Sequence, residues 1–408
     1  MTTTATLAPA DQRAVPAVDY PLYDADEHYY ETVDTYTRHL PRSKASAIQW
    51  IEMRGQRRLL VNNKLFTMNI DPAFDRVGAP GALEKYFRGI NPEGKEVREI
   101  VGDQVQSGVV EYRDRDARLR TLDGQGVAAT LLFPTSGVGM ECLLRDRPRD
   151  LTALITAFNR WLEEDWGFAY QNRLFAAPLM SLVDPEAAVA ELERVRDAGA
   201  RFVAMVPGPV VSGPQSWSPG DPRFDRFWAT AADAGIVVAY HGGDSGYDWI
   251  AQKWGEGQFE GLDTSPLPEV MQLHIERPIQ DTLAAIVSHG VFDRHPTLRM
   301  ASIESGSTWA LHLIKRMRSA YGKIPQKFKQ DPVQSFREHL WISPYYEDDF
   351  DALRDAIGAD HMLFGSDWPH PEGLHQPKDY VADIQQFSPA EQRMILSDNL
   401  RGLLGLAA

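Results

Sequence analysis

Residues 185–206 read PEAAVAELERVRDAGARFVAMV. Over Pro185–Ala198 the apolar residues Ala188, Leu192 and Val195 share one helical face, Glu and Arg occupy the other, and Gly199 stops the helix just before the apolar run Phe202–Val206. Asp221–Ala234 repeats this plan with Phe224, Phe227, Trp228 and Ala231, ending at Gly235 immediately before Ile236–Tyr240. A helix feeding straight into a short apolar strand, twice over, is the alternation of an α/β fold.

Working outward, the strand candidates are Tyr20–Ala25, Val127–Phe133, Leu174–Ser181, Phe202–Val206, Ile236–Tyr240, Leu298–Ile303, Leu340–Ile342 and Met362–Phe364. Eight short buried strands is the count of a (β/α)8 TIM barrel. Ser388–Leu406 opens with Ser388 as N-cap and Glu391 three residues on, a capping box that predicts a closing helical segment. Between the first two strand candidates, about Tyr30 to Gln125, lies far more chain than one βα connection needs. This long insertion after strand 1, with a hairpin around Leu59–Met68, is expected to form a lid or a subunit contact. A second excursion, about Gly242–Leu267, follows the fifth strand. Residues 1–18 are expected to be a disordered arm, and 19–408 a single domain.

The chain has 408 residues, with 42 Lys+Arg against 57 Asp+Glu, a formal charge of −15. That surplus repels phosphate backbones and anionic lipid, so nucleic-acid and membrane partners are not expected. No apolar run approaches the ~18–20 residues that span a bilayer, and the N-terminus lacks a secretory pattern. The single cysteine, Cys142, forbids an internal disulfide and a Cys-based zinc site. A cytoplasmic location is expected.

Barrel enzymes place their chemistry where the strands end. The first strand runs into Asp24-Ala25-Asp26-Glu27-His28, and alternation turns Asp26 and His28 to one side and Glu27 to the other. The fifth runs into His241-Gly242-Gly243, the sixth into Glu304-Ser305-Gly306, and the eighth into Gly365-Ser366-Asp367-Trp368-Pro369-His370. Asp26, His28, His241 and Asp367, with Glu304 as fifth ligand or acid/base, make a nitrogen/oxygen set suited to one divalent ion, Zn²⁺ first and Mn²⁺ second. Any one of these residues alone is more often structural. Five polar groups buried at one mouth would each cost about 1–3 kcal/mol if unsatisfied, and a cation satisfies them together.

The runs GVFDRHPTLRMASIESGSTWALHLIKRM (Gly290–Met317), FGSDWPHPEG (Phe364–Gly373) and SDNLRGLLGL resemble the amidohydrolase-2 family, related to aminocarboxymuconate-semialdehyde decarboxylase. The resemblance covers about residues 20–406. It implies a distorted (β/α)8 barrel with one metal ion, acting as a hydrolase or a non-oxidative decarboxylase on small aromatic or carboxylated molecules, and assembly as a homo-oligomer. Carried over, the family's first-strand H-x-H falls on Asp26-Glu27-His28, its fifth-strand His on His241, its sixth-strand His on Glu304 and its eighth-strand Asp on Asp367. Two positions depart from that pattern: Asp26 keeps a ligand but adds charge, and Glu304 removes an imidazole from the sixth strand.

For hydrolysis the ion lowers the pKa of a bound water toward ~7, and Asp367 or Glu304 takes the proton, with His241 completing the catalytic set. For decarboxylation an acid must protonate the carbon that loses CO₂, and the missing imidazole at 304 weakens that option. Hydrolysis is therefore the first reading, decarboxylation the alternative, and a non-catalytic barrel binding a small molecule the second alternative.

Tyr240, Tyr345, Trp368 and His370 are the substrate-contact candidates, with Tyr247, Trp249, Trp254 and Tyr346 nearby; aromatics equally fill barrel ends. Trp309 is assigned to the core, and Arg54, Arg57 and Arg58 to a solvated surface. Gly243-Asp244-Ser245-Gly246 matches the nucleophile motif of serine proteases, yet the α/β pattern and lone cysteine argue against it. His241-Gly242-Gly243 resembles an oxyanion loop, but no G-x-S-x-G elbow follows any strand.

Overall fold

The computed structural model describes residues 15–69, 71–256 and 274–407. Most of the predicted 1–18 arm and the later part of the Gly242–Leu267 excursion lie outside the described residues.

Among the described residues seven parallel strands form two sheets. Strands β1 (Leu22–Tyr29), β2 (Val127–Pro134) and β3 (Leu174–Ala176) pair in that order. Strands β4 (Phe202–Met205), β5 (Val237–His241), β6 (Arg299–Ile303) and β7 (Leu340–Ile342) pair in the order β7-β6-β5-β4. The molecule is α/β. Parallel strands covered on both faces read as near-continuous apolar runs, and every residue of β5 is buried. Truncating a buried strand side chain, Ile303 of β6 for instance, costs about 2–5 kcal/mol.

The strand predicted over Leu174–Ser181 stops at Ala176 because Pro178 has no N–H to donate to a ladder. Pairing continues only as backbone bonds, Met180 N to Ala204 O at 2.8 Å and Ala204 N to Pro178 O at 2.8 Å. The Met362–Phe364 candidate likewise forms no strand. It is held by one parallel bridge, Met362 to Ile342, and by Ala25 N donating to Phe364 O at 2.8 Å. Main-chain bonds thus link the two sheets at both edges.

The helix Pro185–Asp197 is capped by Asp184, which accepts from Ala187 N, and buries Ala188, Val189, Leu192 and Val195. The helix predicted over Asp221–Ala234 is split: Asp221 caps a 3-10 turn, Pro222–Phe224, before the α-helix Asp225–Ala234. Ser388 and Glu391 form the capping box, but the closing segment is not one helix. It runs Pro389–Arg393, then a π turn Met394–Asp398, then Asn399–Leu403. The wide turn brings the Asn399 amide to Ala359 O and Met362 O at 2.8 and 2.7 Å, anchoring the segment that leads to Asp367.

Between β1 and β2 lie two antiparallel ribbons. Ile48–Met53, Gln56–Val61 and Lys64–Leu65 form the first, turning at Arg54-Gly55 and Asn62-Asn63, four residues that all have positive φ. Two positive φ values in a two-residue loop match the twist of the flanking strands. The sequence anticipated the second of these turns and missed the longer hairpin. The other ribbon pairs Arg76–Gly78 with Val105–Ser107. It is tied to the loop after Asp367, since Leu83 N donates to Pro371 O at 2.7 Å and a Cβ on Gly78 would meet Pro371 at 2.9 Å. Among the described residues no helix is long and apolar enough to cross a membrane.

Candidate metal centre and cavity

Strand β1 sets the site by alternation. Asp26 and His28 point into a shared space, whereas Glu27 points away and pairs with Arg118 at 3.0 Å, both fully buried. Arg118 also donates to His28 O at 2.6 Å and Glu111 O at 2.9 Å. Burial pushes Glu27 up to about 7 even though the Arg118 cation opposes the shift.

Two glycines allow the strand ends to converge. A Cβ at Gly242 would lie 2.3 Å from Glu304 O, and one at Gly365 would lie 2.4 Å from Ser343 Oγ and 2.8 Å from Asp26 Cβ. Glu304 and Asp367 themselves adopt left-handed backbone, with φ of +47° and +56°. Side-chain-bearing residues rarely sit there, and such strain clusters at functional sites. The Tyr345 hydroxyl donates to Glu304 O at 3.1 Å, and Asp367 N donates to Asp26 O at 2.7 Å.

His28 Nε2 lies 3.5 Å from Asp26 Oδ1, 3.2 Å from Glu304 Oε2 and 3.1 Å from Asp367 Oδ1; His241 Nε2 lies 3.4 Å from Asp26 Oδ1 and 3.2 Å from Glu304 Oε2. His241 Nδ1 donates to Gly242 O at 2.8 Å, because a carbonyl can only accept, and this leaves the Nε2 lone pair for the shared space. Despite these short separations, His28 Nε2 and Asp367 Oδ1 are buried without a hydrogen-bond partner of sound geometry. Such atoms face a common point rather than one another. Ligand atoms about 2.1 Å from one ion stand roughly 3.0–3.4 Å apart along an octahedral or tetrahedral edge. Asp26, His28, His241 and Glu304 therefore fit a single divalent cation, and their ligand atoms lie within 4.8 Å of one another.

The electrostatics agree. Burial opposes the Asp26 carboxylate, but His241 and His28 outweigh it and hold its pKa below the usual range. Burial likewise opposes a His28 cation, and the nearby carboxylates of Asp26, Asp367 and Glu304 raise its pKa well above the usual imidazole value. The cluster attracts positive charge.

Asp367 and His370 form a second arrangement. Asp367 Oδ1 lies 2.8 Å from His370 Nδ1. His370 Nε2 lies 3.0 Å from Thr135 Oγ1, whose own proton goes to Tyr29 O at 2.9 Å, so Nε2 carries the imidazole proton. Burial, with help from His28, pushes His370 down to about 4, so the ring is neutral and its Nδ1 is a bare lone pair. Burial pushes Asp367 up to about 6, against the pull of His28. Neither Asp367 Oδ1 nor His370 Nδ1 has a hydrogen-bond partner of sound geometry, so a neutral imidazole edge lies against the carboxyl and disfavours its charge. Thr135 was not foreseen from sequence, being 235 residues from His370.

The other expected contacts divide. His28, His241, Glu304, Tyr345 and His370 line one cavity of about 1620 Å³, as do Tyr247, Arg57 and Arg58. Tyr240 and Trp368 do not. Tyr240 precedes His241, so the strand's period turns it to the opposite side, where it is buried. Trp368 packs edge-on to Tyr112 with the Arg118 guanidinium 4.6 Å above its ring. Trp249 and Trp254 are exposed, and Trp309 is core, its Nε1 donating to Gly306 O at 2.9 Å. Cys142 also lines the cavity, but burial and Asp244 push its thiol up to about 12, which leaves it protonated.

Residues 114–406 match the family model described as amidohydrolase. A solved amidohydrolase from Mycobacterium avium subsp. paratuberculosis K-10 is 40% identical, with a TM-score of 0.89 over 95% of this chain and 100% of that one. The gamma-resorcylate decarboxylase of Rhizobium radiobacter is 25% identical over 319 residues, 72% of this chain and 87% of its own. A dihydroxybenzoic acid decarboxylase from Polaromonas sp. JS666, solved with manganese and 2-nitroresorcinol, shares 18% identity with a TM-score of 0.55, over 80% of this chain and 94% of that one.

Proposed function

The chain belongs to the amidohydrolase family, and from that premise we propose that it is a metal-dependent, non-oxidative decarboxylase of an aromatic acid. The observation that carries this reading is the Asp367–His370 contact of 2.8 Å beside the cluster. Hydrolysis was preferred from sequence because Glu304 replaces an imidazole. An imidazole is nevertheless present at the cluster, supplied by His370 from the loop after Phe364 and stacked on His28 with ring centroids 3.8 Å apart. The curated relatives named as gamma-resorcylate decarboxylases support the same choice, and the hydrolase preference is withdrawn in its favour.

In this reading Asp26, His28, His241 and Glu304 hold the cation, Zn²⁺ or Mn²⁺ by the donor set. When bound, such an ion would supply Lewis-acid stabilisation of negative charge on the substrate. Asp367 stands beside it as the acid. Burial raises the Asp367 carboxyl to about 6, which favours its protonated form over that of an ordinary carboxyl. As the bond to the carboxylate carbon breaks, CO₂ leaves and its electron pair takes the Asp367 proton, leaving a C–H bond and an Asp367 carboxylate that regains a proton from solvent. Tyr345 holds the Glu304 backbone, and Thr135 holds the His370 tautomer.

The scaffold is read as a distorted (β/α)8 barrel. The main-chain bonds at both sheet edges support this, with residues near 178–180 and 362–364 completing the strands. The region of about 30–125 is read as its lid, supported by its bonds to Pro371. Homo-oligomerisation is part of the same proposal, checked by light scattering.

The test loads the protein with Mn²⁺ or Zn²⁺ and offers hydroxybenzoic acids in D₂O. CO₂ release with one deuterium placed on the ring is expected. Hydrolysis of lactones or 1,3-diketones with water oxygen incorporated, and no CO₂ from any acid, would overturn the reading.

A further inference from the structure

The cavity is larger than a one-ring acid requires. Its roughly 1620 Å³ exceeds the ~300–1,000 Å³ typical of sites for drug-sized ligands. The surplus has a chemical character. Leu65 from the first ribbon, Phe87 and Val101 from the stretch between the strands of the second, and Ile275 from the segment before helix Arg277–Ser288 all line the same space that His28 and Glu304 reach. Leu65, Phe87 and Ile275 are 38, 42 and 56% exposed. Large apolar side chains from three separate stretches, left open to solvent around one cavity, mark a surface that awaits an apolar partner.

We propose that the acid taken by this site carries a long apolar substituent, an alkyl chain or a second ring system, which lies along Leu65, Phe87 and Ile275 while its carboxylate sits at the cluster. The proposal rests on the decarboxylase reading only for the position of the acid group. Arg57, Arg58 and Lys64 also line the cavity, Arg57 and Lys64 exposed and Arg58 half-buried. An anionic tail drawn to these cations is the rival the experiment must exclude.

The experiment measures affinity by calorimetry, with Mn²⁺-loaded full-length protein and a series of 4-n-alkylbenzoates from methyl to octyl. Affinity is expected to rise about three- to fourfold for each methylene buried, the equivalent of ~0.8 kcal/mol. Phe87→Ser and Ile275→Ser are expected to lower the octyl-to-methyl affinity ratio at least about tenfold together. A flat series overturns the proposal, as does tighter binding of tails of equal length that end in a carboxylate or sulfonate. Turnover is read separately. A steep series in protein that releases no CO₂ sinks the decarboxylase reading alone, and a flat series in protein that decarboxylates one-ring acids sinks the apolar tail alone.

Discussion

His370 lies nearly parallel to His28, with 26° between the rings and 3.8 Å between their centroids, while its Nδ1 reaches Asp367 Oδ1 at 2.8 Å. One imidazole thus braces a cluster histidine with its face and the acid with its edge. His370→Asn is expected to lower kcat about 10–100-fold, the usual effect of losing such an orienting partner. Metal content measured on the purified variant is expected to stay at the wild-type level; loss of the ion instead would make His370 a ligand.

Removing the cation is expected to abolish turnover and lower stability. Without it, Asp26, Glu304 and Asp367 face one another around two histidines. Protein purified without added metal, analysed by elemental mass spectrometry, should carry about one ion per chain, and His241→Ala well below that. An ion present at about 100 times its dissociation constant stabilises the fold by ~2.7 kcal/mol, so chelation should lower the thermal midpoint. No ion in the wild type would sink the mechanism.

The buried pair behind β1 is expected to matter for folding. Arg118→Met leaves Glu27 without its cation at 0% exposure and should cost about 3–5 kcal/mol in urea unfolding. Adding Glu27→Gln should recover a good part of that loss. If Arg118→Met is as stable as wild type, Glu27 is already neutral and the pair is no ion pair.

Glu141 gives a pH signature away from the cluster. It accepts from Ser181 Oγ at 2.9 Å, and burial pushes it from 4.5 up to about 7. Between those values the folded chain holds a proton that the unfolded chain releases, so its contribution is complete below about 4.5 and is lost as pH rises toward about 7. Glu141→Gln should therefore be near neutral at the acidic end and stabilising by about 3 kcal/mol at pH ~8. Equal effects at both ends would show that Glu141 ionises normally.

Ser245→Ala is expected to keep turnover within about twofold, far above the loss from Asp367→Asn. Comparable losses would reopen the serine-nucleophile reading of Gly243–Gly246.

The cluster was legible because each of its residues lies within or just beyond the end of an apolar run. Asp26 with His28, and Glu27 opposed, needed only the two-residue period. Tyr240, expected at the substrate, is turned away by the same period, since a strand that aims His241 at the cluster aims its neighbour elsewhere. What could not be read were the partners that only folding brings near. Arg118 claims Trp368 and Glu27 from the helix Arg115–Gln125, and Thr135 reaches His370 from the end of β2. Neither follows a local pattern. The α/β alternation was readable, but at Pro178 and at Met362–Phe364 regular ladders give way to isolated backbone bonds, for which apolar runs carry no signal.

The left-handed backbone at Glu304 and Asp367 sets heat resistance against chemistry. Each such residue costs about 1–2 kcal/mol that glycine would not. A selection for thermal tolerance carried out without metal would therefore favour glycine at 304 and glycine or asparagine at 367, and would return tougher, inert proteins. At these two strand ends the chain keeps a carboxylate facing the cluster over the residue that best fits the backbone.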